Sequence, residues 1–258
     1  MDLGLAGKHV LISGGSKGIG MALAYAFAAE GANVVITSRD QALLEKTAGE
    51  VARKHNAKVL AFPADLSKGP ERERVHAAFP NVDILVNNAG AIPAGGLLNM
   101  SMETWIESWQ LKVFGYIHMS QLYYGKMKPR KDGIILNILG MAGRALTPEY
   151  ICGTTGNAGL IAFTSALGVD AADHGVRVFG INPAATRTDR IMTMSRTRAK
   201  NRFGDESRWA ETLGSMPFGR MKEPEEVAAL SVMLCSKKVE YLAGTVVDMD
   251  GGGRYRKA

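Results

Sequence analysis

"HVLISGGSKGIGMALAYAFAAEG", residues 9 to 31, passes from a short apolar run through a glycine-rich turn into a long alanine-rich stretch. "HVLI" (9 to 12) reads as a strand buried on both faces, and residues 18 to 30 read as a helix. Between them, in "SGGSKGIG" (13 to 20), Gly14, Gly18 and Gly20 permit a tight turn and leave the helix N-terminus unobstructed. Its free N–H groups and dipole then face an incoming anion. A glycine pattern alone says little; set between the strand and the helix of a βαβ unit, it marks a dinucleotide pyrophosphate site.

The same alternation continues outward from this unit. Further apolar runs occur at "NVVIT" (33 to 37), "KVLAFPA" (58 to 64), "DILVNNAG" (83 to 90), "GIILNIL" (133 to 139), "VRVFGINP" (176 to 183) and "GTVVDMDGG" (244 to 252). Helical stretches at 41–55, 71–78, 102–128, 154–173 and 224–236 lie between them, and crossovers of that length demand parallel strands. The expected fold is α/β, a single doubly wound (Rossmann) domain over 1–258 with a seven-stranded parallel sheet flanked by helices. The stretch 186–218 follows a strand end and mixes Arg, Met and Trp without one clean period. It is expected to form a substrate lid, because ligands in this fold bind beyond the carboxyl ends of the strands.

Composition agrees with one such domain. The chain has 258 residues, 46% hydrophobic and 22% charged, with a mean hydropathy of -0.03. No run of about 18 apolar residues offers a membrane span, and the N-terminus lacks the layout of a cleavable signal. Two cysteines without a disulfide spacing fit a reducing, cytoplasmic setting. The net charge of +6 is spread over the chain, without the aromatic platforms or motifs of a nucleic-acid surface. No His or Cys cluster has metal-ligand spacing, so no metal is expected.

The second strand ends in "TSRD" (37 to 40), with Arg39 first in line where a carboxylate would hold a ribose diol. Lys17 lies in the glycine loop, and two cations around the adenosine ribose favour a 2′-phosphate. The expected cofactor is therefore NADP, with NAD possible because Asp40 stands next to Arg39.

Taken in order, "SGGSKGIG", "ADL" (64 to 66), "NNAG" (87 to 90), "NPAATRT" (182 to 188) and "GTVVDMDGG" resemble the short-chain dehydrogenase/reductase family over essentially the whole chain. The resemblance implies that Gly14, Ser16, Lys17, Gly18, Ile19 and Gly20 hold the pyrophosphate side of the cofactor. It implies that Asp65 and Leu66 contact the adenine, Asn87, Ala89 and Gly90 the adenosine ribose side, and Pro183 and Thr188 the nicotinamide carboxamide. Ala184 stands where a glycine is usual. A small-molecule substrate and a homotetramer or homodimer are implied as well.

The family's proton-handling residues are a Ser, a Tyr and a Lys, with an Asn on the long helix after "NNAG". A Tyr hydroxyl beside a Lys ammonium gives up its proton readily, which suits exchange with an alcohol or carbonyl while a hydride moves. Matching "LNILGMAG" (136 to 143) and "AGLIAFTSAL" (158 to 167) to the family without gaps puts the Ser position on Gly140, the Tyr position on Gly153 and the Lys position on Asn157. Lys112 then falls at the helix Asn, as though Lys and Asn had changed places.

Lys112 shares a helical face with Trp105, Trp109 and Tyr116. It is read either as a site cation or as a residue snorkelling along the Trp rings to water. Tyr150, three residues ahead of the usual tyrosine, is read as a displaced proton donor or as an aromatic wall of the pocket. Lys112, Tyr150 and Asn157 are the candidate catalytic residues. Two functions remain open: an NADP(H)-dependent oxidoreductase acting on a small carbonyl or alcohol with non-standard proton-transfer residues, or a nucleotide-binding protein without ordinary hydride transfer, such as a sensor, scaffold, lyase or isomerase.

Overall fold

The computed structural model describes residues 1–214 and 216–255. Seven strands, β1 (His9–Ser13), β2 (Asn33–Thr37), β3 (Val59–Ala61), β4 (Ile84–Asn87), β5 (Gly133–Ile138), β6 (Val176–Pro183) and β7 (Val246–Met249), form one parallel sheet in the order β3-β2-β1-β4-β5-β6-β7. The strand order reverses between β1 and β4, whose register pairs Val10 with Ile84 and Ile12 with Val86. The crevice at that reversal opens beyond Ser13 and Asn87, so the glycine loop and "NNAG" flank it.

Helices α1 (Gly18–Ala29), α2 (Gln41–His55), α3 (Gly69–Ala78), α4 (Met102–Arg130), α5 (Ile151–Ala172), α6 (Asp189–Phe203) and α7 (Pro224–Cys235) complete the fold. On one face, Leu23 and Phe27 of α1, Leu44 and Val51 of α2 and Val227 of α7 bury themselves against Val10, Ile12 and Ile36. On the other, Val75 of α3 and Met119, Tyr123 and Met127 of α4 pack on Leu11, Leu85 and Ile135. Burying one such side chain contributes about 1.5–3 kcal/mol, so the sheet is held from both sides by residues that alternate along each strand. The central strands β1 and β4 read as unbroken apolar runs for that reason, while β3 and β7 at the edges are only half-buried.

Helix ends follow local chemistry. Asp40 caps α2 by accepting from the Leu43 N–H at 3.0 Å, Ser101 caps α4 through the Thr104 N–H, and α7 opens on Pro224 with a capping box between Glu223 and Glu226. The largest departure from the expected pattern is at 186–218, where the described residues fold as α6 and a 3-10 turn over Glu206–Leu213. The weak periodicity has a physical cause: few α6 residues turn inward, Ser195 and Ala199 among them, and both are small rather than strongly apolar. Helix α5 begins at Ile151, three residues earlier than expected.

Candidate active site

The turn after β1 is closed by backbone. A Cβ on Gly20 would overlap the Gly14 carbonyl and lie 2.6 Å from Asn88 Nδ2, and Gly14 and Gly18 take φ of +70° and +56°. Asn88 ties the two sides of the crevice, donating from Nδ2 to the Ser13 carbonyl at 2.9 Å and the Gly14 carbonyl at 3.3 Å. Ser13 Oγ in turn accepts from the Asn88 and Ala89 N–H groups. Lys17, the N-cap of α1, places no side-chain acceptor on the first turn. The orphan N–H groups of that turn are left for an anion.

The cations and the carboxylate at the end of β2 have distinct roles. Lys17 and Arg39 are exposed, whereas Asp40 is engaged as the α2 cap. Asp65 is half-buried; burial pushes its carboxyl up, but hydrogen bonds from the Ser67 hydroxyl and N–H and the charge of Arg39 outweigh this and hold it below its ordinary value. Arg39 therefore lies within electrostatic reach of the acidic residue that follows β3.

Two of the residues expected at the cofactor have side chains engaged within the fold. The Leu66 side chain is in the core rather than at a ligand surface, and its carbonyl accepts from Arg72 Nη1 at 2.9 Å. Arg72, which no motif flags, is itself buried and also donates to the Gln110 carbonyl and to His118 Nδ1. Asn87 is fully buried, with Nδ2 donating to Asn137 Oδ1 at 2.9 Å and Ser120 Oγ at 3.1 Å. Its side chain ties β4 to β5 and α4. The physical reason is the pleat: Asn87 and Asn137 are register partners inside the sheet, so both side chains meet there.

Ser16 is buried and Ile19 leans on the core. Pro183 closes β6 and Thr188 caps α6. The Thr188 methyl lies 3.2 Å from where a Cβ on Gly18 would stand, so α6 begins directly against the glycine loop.

Around the end of β5 the three candidate catalytic residues separate into two groups. Lys112 is buried, donating from Nζ to the Ile138 carbonyl at 2.6 Å and to the Tyr116 hydroxyl at 2.8 Å, while that hydroxyl also donates to the Ile138 carbonyl at 2.9 Å. The snorkelling alternative is thereby excluded. Trp105 and Trp109 pack on each other, Trp109 donates to the Cys152 carbonyl, and the aromatic ring beneath the ammonium is that of Tyr116. Burial, with a further contribution from the nearby Arg190 charge, lowers the Lys112 pKa to about 7, and burial pushes the Tyr116 hydroxyl well above its ordinary range.

Asn157 stands on the other side of this strand end. Its Nδ2 donates to the Gly153 carbonyl at 2.7 Å, and its buried Oδ1 faces Gly140, 3.3 Å from where a Cβ would lie, without a hydrogen-bond partner. A buried acceptor left unpaired costs roughly 1–3 kcal/mol, so this atom is a built place for a donor.

Tyr150 precedes α5 as its N-cap, and its ring folds back over Gly153. A Cβ on Gly153 would overlap two ring carbons and lie 2.6 Å from the hydroxyl oxygen. That oxygen accepts from Arg190 Nη2 at 3.3 Å, and the same guanidinium donates to the Gly90 carbonyl at 2.9 Å and the Ile92 carbonyl at 2.6 Å. Arg190, which no sequence motif singles out, joins the first turn of α6 to the loop after β4 and to Tyr150. No local pattern around residue 190 could have revealed this, because its partners are separated from it by 40 to 100 residues.

The profile of the short chain dehydrogenase family matches residues 8–199. The chain belongs to that family. It is 30% identical over 256 residues to the 3-oxoacyl-[acyl-carrier-protein] reductase FabG of Aquifex aeolicus, covering 98% of this chain and 99% of the relative. It is 32% identical over 253 residues to the oxidoreductase UcpA of Salmonella typhimurium, covering 96% and 95%. Among solved structures, L-sorbose reductase from Gluconobacter frateurii, complexed with NADPH and L-sorbose, superposes with a TM-score of 0.91 at 28% identity over the full length of both chains. The chain is an oxidoreductase of the short-chain dehydrogenase type by family, and the seven-stranded doubly wound sheet is the architecture it shares with that structure.

Proposed function

We propose that this short-chain dehydrogenase is an NADP(H)-dependent oxidoreductase of a small carbonyl or alcohol in which Tyr150 and Lys112 handle the proton and Asn157 holds a donor beside Gly140. The observation that carries the reading is the buried Lys112 ammonium at the end of β5, whose pKa of about 7 leaves both protonation states populated near neutrality. A cofactor fits the residues present. The cradle at Gly14 and Gly20 has no room for side chains, the first turn of α1 has free N–H groups, and Lys17 and Arg39 supply charge for a 2′-phosphate while Asp40 is engaged as a cap. The NADPH bound by L-sorbose reductase agrees with that choice.

When bound, NADP(H) supplies or accepts the hydride. The chain's own task is then to give the carbonyl oxygen a proton, or to take one from the alcohol. Tyr150 meets two requirements. Arg190 donates to its oxygen, which leaves the hydroxyl hydrogen free to be handed over, and Gly153 leaves the ring room to lie against α5. Lys112, anchored by the Ile138 carbonyl, is the buried group able to carry a proton through neutral pH. Asn157 Oδ1 takes a hydroxyl or water where the family's Ser and Lys would stand.

Assembly as a homodimer or homotetramer, in the cytoplasm, completes the proposal. Ile106 and Phe114 on α4 are 53% and 44% exposed, an apolar surface suited to pairing with a second copy.

The test is NADPH oxidation, followed by absorbance against a panel of ketones, aldehydes and enones, with Lys112→Ala and Tyr150→Phe alongside. A fall of about 100-fold or more in kcat for either variant, the range for losing a general acid, is expected. Tight NADPH binding with no turnover of any compound would favour a nucleotide-binding protein without hydride transfer, a reading that the bare Gly140 and Gly153 support.

A further inference from the structure

We propose that Arg190 is a specificity-determining residue of this site and that it recognises a carboxylate carried by the substrate next to the reacting carbon. The inference rests on the functional reading above and goes beyond it by naming the substrate class.

Arg190 is held by neutral oxygens alone: the Gly90 and Ile92 carbonyls and the Tyr150 hydroxyl. Among the described residues no Asp or Glu forms an ion pair with it. Its neighbour on the same segment, Arg187, pairs with Glu223 at 2.8 Å, and Arg144 and Arg254 both pair with Asp248. A guanidinium has five N–H donors. Three contacts are made here, two through Nη2 and one through Nη1, so Nε–H and one Nη1–H remain for a ligand. Orientation is thus supplied by the protein while the charge is left uncompensated.

The position of that charge gives it meaning. Arg190 is 3.3 Å from the hydroxyl proposed to exchange the proton, and close enough to Lys112 to act on it. An anion bound by Arg190 would sit beside the reacting oxygen. Each remaining N–H carries the guanidinium's charge, so it can give a carboxylate oxygen a charge-assisted contact. Asp189 and Glu149, its acidic neighbours in sequence, are exposed, and among the described residues neither forms an ion pair with Arg190. A 2-oxo acid, or the 2-hydroxy acid formed from it, is the matching substrate class.

The decisive measurement is a ratio. Phenylglyoxylate and its methyl ester present the same ketone with and without the charge, and a general loss of activity cancels when their kcat/KM values are divided. With NADPH, the wild-type protein is expected to favour the acid about tenfold or more, as one charge-assisted contact allows. Arg190→Met should bring the ratio close to one, with Arg190→Lys between. In parallel, calorimetric titration of oxamate into the protein carrying NADP should show binding in the wild type that Arg190→Met abolishes.

Equal use of acid and ester by the wild type, or a preference that survives in Arg190→Met, would overturn the proposal. So would an Arg190→Met protein whose only change is weaker NADPH binding, which would assign the residue to a cofactor phosphate. If no ketone is turned over at all, the oxidoreductase reading fails by itself, and the oxamate titration still decides the anion site. Binding lost in Arg190→Met upholds it, and no binding to the wild type sinks it.

Discussion

The ring of Tyr150 occupies the space that any side chain at Gly153 would need. The two positions are therefore reciprocal: a tyrosine can stand at 150 in this pose only because 153 has no Cβ. The absence of a side chain at 153 is what lets an aromatic ring reach the site from one turn earlier.

Placing a tyrosine at 153 is expected to fail unless Tyr150 is removed at the same time. Gly153→Ala alone should displace the Tyr150 ring and lower stability by about 1–3 kcal/mol, the usual cost of overpacking, and should loosen the hydrogen bond with Arg190. Gly153→Tyr combined with Tyr150→Ala should be more stable than Gly153→Tyr by itself. Thermal unfolding of the variants reads this directly, and a Gly153→Tyr protein as stable as Gly153→Tyr combined with Tyr150→Ala would refute the overlap.

Lys112 ties stability to pH. Its pKa is about 7 when folded against an ordinary 10.5, so between these values the unfolded chain holds a proton that the folded chain does not. Stability contributed through this residue therefore rises with pH from about 7 to 10.5, and below pH 7 the fold encloses a charge. Lys112→Met removes that penalty along with two hydrogen bonds. It should be more stable than the wild type at pH 6 by on the order of 3 kcal/mol, because each pH unit between the folded and unfolded pKa corresponds to about 1.4 kcal/mol and the two missing hydrogen bonds offset part of the total. The advantage should shrink steadily and vanish or reverse by about pH 10. Urea unfolding at acidic, neutral and alkaline pH checks it, and a pH-independent difference would mean that Lys112 does not titrate in this window.

Arg39 and Asp40, adjacent in the chain, should separate cleanly. Arg39→Ala is expected to weaken NADPH binding about tenfold or more while leaving NADH binding nearly unchanged, because the group that Arg39 would hold is a phosphate that NADH lacks. Asp40→Ala should instead cost about 1 kcal/mol of stability through the missing α2 cap, with little effect on the NADPH to NADH ratio. Fluorescence titration with both nucleotides distinguishes the two. A gain in NADH affinity caused by Asp40→Ala, or no change caused by Arg39→Ala, would contradict these assignments.

What the chain declares locally is the framework. Apolar runs flanked by crossover helices imply a parallel sheet, and the glycines of residues 13 to 20 imply an anion site at the start of α1, because backbone geometry and burial act over a few residues. The boundaries of β2, β6 and α2 were legible to the residue for the same reason. The irregular composition at 186–218 concealed α6, whose inward residues are too small to leave a strong period.

The tertiary structure alone decided which polar groups meet. Register set the Asn87 side chain against Asn137, and packing turned the Leu66 side chain inward under Arg72. Burial turned Lys112 from a surface cation into a group with a pKa of about 7, and folding carried Arg190 across 40 residues to Tyr150 and 100 to Gly90. Such pairings depend on distances between elements far apart in the chain and on the loss of water around them, neither of which any short stretch of residues contains.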